Sequence, residues 1–206
     1  MSRGEDGLTV TSYAILGLLA IQPWTTYELA QQMRRGLRRF WPRAESRIYE
    51  EPKRLVVEGL ARSTTEFTGR RSSTTYAITP KGRRRLARWL AEPGAGPQLE
   101  FELLLKVWLS EHGTTADVMT NIAAIRMWAE ERNAENITFA REYLHTGGPF
   151  PERLAQIILV GKFLTDFADM VASWSKWAEE VVGRWPEDPR GAKPHLPTLE
   201  SIAARE

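Results

Sequence analysis

Hydrophobic positions are spaced very differently in the two halves of the chain. In the front half, residues 8–21 are apolar on most faces (Val10, Ile15, Leu16, Leu18, Leu19, Ile21), which predicts a largely buried helix stopped near Pro23. Thr25 or Thr26 can cap a second helix, with Glu28 in its first turn. There Leu29, Met33, Leu37 and Phe40 recur every three or four residues as one apolar stripe. Arg34, Arg35, Arg38 and Arg39 fall on the other side, and the basic run continues to Arg43. Trp41-Pro42 is a break, because proline disfavours helix at the residue before it. A third helix is predicted from Ala44 or Glu45 to Glu58, with Ile48, Leu55 and Val56 inward and Gly59 as its C-cap. Pro52 in a helix interior would cost about 3 kcal/mol. Either the helix bends there, or 44–51 is a first turn or two and Pro52 opens the longer part.

The period then changes. Residues 60–67 and 73–79 read as strands, the second with Tyr76 and Ile78 on one face, joined by a glycine-containing, doubly basic loop at 68–72. Thr79-Pro80 starts a fourth helix, with Leu86, Ala87 and Leu90 on one side. Pro93-Gly94-Ala95-Gly96-Pro97 is the clearest linker signal in the chain. Beyond it the pattern is helical throughout: 99–111, then a long helix to about His145 opened by a capping box of Thr114 and Asp117, then 151–184 after Gly147-Gly148-Pro149. The last helix carries two apolar stripes, Leu154, Ile157, Leu164, Val171 and Ala178 on one and Val160, Phe163, Phe167, Met170, Trp174, Trp177 and Val181 on the other. A helix apolar over so wide an arc must bury more than one side, which about 85 residues of helix do not easily cover alone; a subunit interface is expected. The tail from Trp185 holds four prolines and is expected to be irregular up to a short helix at 198–204.

Charge sharpens this division. Residues 1–98 hold 17 Lys and Arg against 9 Asp and Glu, net +8, whereas residues 99–206 hold 11 against 17, net −6. A basic front half suggests a polyanionic partner for that half. Cysteine is absent, which removes disulfides, thiolate zinc sites and cysteine nucleophiles and suits a reducing compartment. The longest apolar run has nine residues, 13–21, against the roughly 20 a membrane span needs. Glu5 and Asp6 precede it and no small-x-small site follows, so neither a membrane partner nor an export signal is expected and the chain reads as cytoplasmic.

The order helix, helix, helix, hairpin, helix is that of a winged helix-turn-helix, whose recognition helix enters the major groove. Ser46, Arg47, Tyr49, Lys53 and Arg54 face away from Ile48 and Leu55, and Arg43 lies just before them. Arg and Lys can bond guanine edges or phosphates, and hydroxyls mostly hold phosphates. Arg70 and Arg71 sit where a wing reaches the backbone or minor groove. Thr26 and Tyr27 open the second helix, whose amides favour a phosphate. Blander roles compete: residues 34–43 as a solvated face, Tyr27 and Tyr49 as packing, and Arg83, Arg84, Arg85 and Arg88 as surface charge.

Tyr13-Ala-Ile-Leu-Gly-Leu-Leu-Ala20, Thr26-Tyr-Glu-Leu29, Phe40-Trp-Pro42, Ser46-Arg-Ile-Tyr49, Lys53-Arg-Leu55, Glu58-Gly-Leu60 and Tyr76-Ala-Ile-Thr79 followed by Gly82-Arg83 together resemble the PadR family of transcriptional regulators. The resemblance is dense over residues 8–90 and architectural beyond 98. Glu50 and Glu51 stand where the commonest pattern has proline directly after Ile-Tyr. The resemblance implies a homodimeric, ligand-responsive regulator, usually a repressor, on a palindromic operator of double-stranded DNA; an activator or a winged-helix protein scaffold is the alternative.

The expected fold is therefore mainly α: an N-terminal winged helix-turn-helix with a two-stranded wing (1–92), an all-α C-terminal dimerisation and effector domain (98–184), and a proline-rich tail (185–206). Leu154, Ile157, Leu164, Met170, Val171, Trp174 and Val181 are the expected dimer interface. Trp108, Trp128, Phe163, Phe167, Trp174 and Trp177 could wall a pocket for a small aromatic effector, although packing is the plainer role for most of these rings. His112, His145 and His195 are too scattered for a metal site, and no glycine-rich phosphate loop, nucleophile elbow or zincin motif occurs, so no metal, no cofactor and no enzymatic activity are expected.

Overall fold

A computed structural model describes residues 7–41, 48–68 and 71–205. The chain divides at the predicted linker into two compact units, Met1–Pro97 and Gln98–Glu206.

In the first unit, α1 (Val10–Ile21) is closed by a capping box between Thr9 and Ser12. Ile15, Leu16 and Leu19 are fully buried, and α4 (Pro80–Ala91), α3 (Glu51–Val57) and β3 (Arg71–Ile78) pack around the helix. A two-residue strand, β1 (Trp24–Thr25), precedes α2 (Thr26–Gln32). The chain then widens into a π-helical turn, Met33–Leu37, in which the Arg38 amide donates to the Met33 carbonyl at 3.0 Å. Strand β2 (Ala61–Thr68) pairs antiparallel with β3 from Ala61 opposite Ile78 to Thr68 opposite Arg71.

Four features depart from the sequence expectations. The sheet has three strands in the order β1-β3-β2, not two, because Trp24 pairs with Tyr76 at the base of the wing. Two residues give no periodic signal; what holds them is the burial of Trp24, whose indole donates to the Leu18 carbonyl at 2.9 Å. The β2–β3 ladder runs through Thr68 and Arg71, so the strands extend into the expected 68–72 loop. Leu90 is 67% exposed. The inner contact of α4 is Trp89, stacked on Tyr13 with ring centroids 4.7 Å apart, where the aliphatic stripe was expected. Phe40 is exposed, because the π-turn changes the helical phase after Met33. Gly82, on the first turn of α4, lies against the Leu60 carbonyl; a Cβ there would come within 2.1 Å of that oxygen, so only glycine lets the helix start this close to β2.

The second unit is helical. Helix α5 (Glu102–Trp108) packs on α6 (Thr115–Thr146), and α6 runs against α7 (Leu154–Val182). The Thr114–Asp117 capping box opens α6, and Gly147 ends it at φ 75°. Val118, Ile122, Ala178 and Val182 form one core cluster, and Ile125, Ala129 and Val171 another. Arg126 donates to Glu179 at 3.1 Å across the two long helices. The proline-rich segment returns to the start of α6, where the Thr115 amide donates to the Glu187 carbonyl at 3.0 Å and Trp185 packs on the first cluster. A final helix, α8 (Leu196–Ala203), starts two residues before the expected one. No described helix is long and apolar enough to cross a membrane.

Candidate nucleic-acid interface

Helix α3 starts at Glu51 with Pro52 in its first turn, where a missing amide costs nothing; of the two alternatives, proline opens the helix. Residues 48–50 are a turn. Arg43, Ser46 and Arg47 lie outside the described residues. Ile48, Glu51, Pro52 and Leu55 are buried, whereas Tyr49, Lys53 and Val57, four residues apart, are exposed. Apolar anchoring on one side thus presents a hydroxyl, an ammonium and an apolar surface on the other.

What secures the helix is an acidic residue that the sequence did not single out. Glu51 is only 3% exposed. Its carboxylate accepts a short hydrogen bond from the Ser12 hydroxyl at the start of α1. Ser12 Oγ also accepts from the Thr9 amide at 2.9 Å. With the Ser12 proton committed to Glu51, the Thr9 hydroxyl is the donor in the 3.0 Å Thr9–Ser12 pair. Arg54 completes the network. Its Nη1 stands 3.5 Å from Glu51 Oε1, its Nε donates to Glu58 at 3.1 Å, and its Nη2 donates to the Gly7 carbonyl at 2.6 Å. A buried carboxylate needs such partners. The Arg54 guanidinium therefore has three partners inside the protein. In this arrangement it holds the helix, and Lys53 is the fully outward cation of this helix among the described residues. The only trace of it in the sequence is that Glu50 and Glu51 stand where proline was expected directly after Ile-Tyr.

The wing rises from the sheet beyond Tyr76 as an exposed ribbon, with the Thr65 and Thr74 hydroxyls 3.1 Å apart across the strands. Arg70 lies outside the described residues, and of Arg71 only the backbone is described, opposite Thr68. At the start of α2 a capping box already takes the amides of Thr25 and Glu28. Thr25 Oγ1 accepts from the Glu28 amide, and the Glu28 carboxylate accepts from the Thr25 amide at 2.8 Å. A carboxylate at that helix end competes with a phosphate. Thr26 is half-buried. Tyr27 and Tyr49 are 69% and 61% exposed, so neither ring is a packing residue.

In the second unit the six rings expected around an effector divide. Trp128 lies between Phe101 and Phe167, at centroid distances of 5.7 and 6.3 Å, and joins Trp174 against the Ile125 cluster. Trp108 and Phe163 are 81% and 63% exposed, and Trp177 sits at the surface edge-on to His195. The expected interface residues divide as well. Val171 is buried within the unit, Leu154, Ile157, Leu164, Trp174 and Val181 are half-buried, and Met170 is exposed. The outward apolar face of α7 consists of Val160, Phe163, Met170 and Trp177, with Ile158 and Leu159 beside it. The Asp117 carboxyl is held below the usual carboxylate range by hydrogen bonds from the Thr114 side chain and backbone. No group of described His, Asp or Glu side chains could hold a metal ion.

Comparison with known proteins places this geometry. Residues 15–88 match the Transcriptional regulator PadR-like family. A Mycobacterium tuberculosis protein described as a transcriptional regulator is 32% identical over 125 residues, 55% of this chain and 66% of that protein. The negative transcriptional regulator PadR of Bacillus subtilis is 31% identical over 103 residues, 49% of this chain and 57% of PadR. Crystal structures of Bacillus subtilis PadR share the fold. The complex with operator DNA superposes with a TM-score of 0.73 at 21% identity, covering 84% of this chain and 99% of that one. The complex with p-coumaric acid gives 0.67 at 21% identity, covering 85% of this chain and all of that one. The family and these relatives are transcriptional regulators, not enzymes. The winged-helix unit, over residues 15–88, is thus similar to the PadR-like family of transcriptional regulators.

Proposed function

We propose that the protein is a homodimeric repressor that binds a palindromic operator and is released from it by a small aromatic ligand. One observation carries the DNA-binding part. The recognition helix is secured from behind by Glu51 and Arg54, so Tyr49 and Lys53 project outward on a fold shared with an operator-bound PadR. Two such helices about 34 Å apart would meet successive turns of one DNA face. Arg43, Ser46, Arg47, Arg70 and Arg71 complete the proposed DNA-facing set, with Tyr27 beside it; Arg54 holds the helix. The outward face of α7 supports the dimer, since a soluble protein seldom leaves such a contiguous apolar patch uncovered. Repression is supported by the negative regulator among its relatives.

Ligand release requires a compound that prefers a dimer geometry unsuited to the operator. The Phe101–Trp128–Phe167 cluster offers aromatic faces to a flat ring, and Bacillus subtilis PadR has been crystallised with p-coumaric acid. The test is binding of the full chain to the duplex upstream of its own gene, followed by fluorescence anisotropy against mixed-sequence competitor. Specific binding that weakens steeply with salt is expected. No duplex binding even at low salt overturns the reading.

A further inference from the structure

Residues spaced i, i+4, i+7 and i+11 on a helix share a face. From α2 into its π-turn Tyr27, Gln31 and Arg34 follow this spacing, and Arg38 stands one π-turn beyond Arg34. Leu29, Ala30 and Met33 are buried on the opposite side. Arg34 and Arg38 are exposed, as is Arg35 beside them, and none of the three has a hydrogen-bond or ion-pair partner among the described residues. Some surface arginines elsewhere do have acidic partners: Arg126 with Glu179, Arg132 with Glu135, Arg190 with Asp188. Like charges at i, i+4 disfavour a helix, so Arg34 and Arg38 repel each other where they stand. The row spans roughly 15 Å from Tyr27. It is long enough to meet more than one phosphate of a strand, whose charges repeat about every 3.4 Å along the duplex axis. In a helix-turn-helix the helix before the recognition helix is the one that crosses the backbone.

We propose that Arg34 and Arg38, with Arg35 at their flank, form a phosphate-binding track for duplex DNA along the outer face of α2. The proposal rests on the duplex-binding reading and adds a contact region outside the recognition helix and wing. The track is sequence-independent: it adds affinity and sets register, while base discrimination stays with α3. A competing role exists, because basic side chains near a helix C-terminus also favour the helix dipole.

Two matched double variants of the full chain separate these roles. Arg34→Gln/Arg38→Gln removes two charges at i, i+4 on α2. Arg84→Gln/Arg88→Gln removes two at the same spacing on α4, where both arginines are exposed. Binding to a mixed-sequence duplex of about 30 base pairs is followed as a function of salt, with thermal unfolding alongside. The α2 pair is expected to lower the log–log salt slope by about two units per protomer, and the α4 pair by less than one. Equal losses in the two variants overturn the proposal, because the arginines then act only through net charge. An unchanged slope with a lower melting temperature also overturns it, in favour of the dipole role. If the wild-type chain itself ignores the duplex at low salt, the underlying reading falls and the track with it, an outcome distinct from the other two.

Discussion

The two units solve opposite problems with opposite surfaces. The first is a small winged helix with an exposed ribbon and the exposed Arg34, Arg35 and Arg38, and carries net +8 over residues 1–98. The second carries net −6 over 99–206 and matches several of its basic groups with acids, but leaves apolar side chains outward along α7. Concentrated basic charge suits a polyanion and uncovered apolar area suits a protein surface. A chain with both fits the proposed coupling of an assembly to a nucleic acid.

The sharpest way to break this division is to charge the second surface. Phe163→Glu with Met170→Glu should convert a dimer to a monomer, read by sedimentation. Operator affinity should fall about 100-fold or more because the second half-site is no longer tethered, while far-UV circular dichroism stays unchanged. A variant that remains dimeric would move the interface off this face. The next effect is in the first unit. Glu51→Ala leaves the Ser12 hydroxyl without its acceptor and loosens Arg54, and should cost about 2 kcal/mol in denaturant unfolding. It should also weaken operator binding while leaving self-association intact; a loss of dimerisation instead would show the two surfaces are not separable. The smallest effect is the pH dependence of the second unit. The native Asp117 carboxyl lies below its ordinary value of 3.8, so its contribution is present above that value and is lost as pH falls through the lower native one. Asp117→Asn should flatten a shallow acid-side decline in stability, measured by thermal unfolding, by slightly lowering stability at neutral pH while leaving it unchanged in acid.

Legibility followed the length of the signal. The long helices, their caps and the linker were plain from the apolar period, the Thr114–Asp117 pair and the Pro-Gly run. Strand β1 was not, because two residues have no period and its stability comes from the Trp24 indole and from Tyr76, 52 positions downstream. The exposure of Phe40 was missed because a π-turn breaks the phase that a stripe assumes. The internal partners of Arg54 were hidden for a related reason. A charged residue on a recognition helix looks outward until a buried partner is known, and Glu51 finds its partner in Ser12, 39 residues earlier. The aromatic residues divided in the same way, since composition cannot tell Trp128 in a core cluster from Trp108 at the surface.

The bolt between Glu51, Ser12 and Arg54 has a consequence for how such a protein changes over generations. The groups that keep α3 in place all lie behind it or on its flank, and those proposed to touch DNA from the described part of the helix lie in front at Tyr49 and Lys53. Exchanges at the front leave every bolt contact intact. The helix can drift toward a new operator one exposed residue at a time, and retargeting by design has the same freedom.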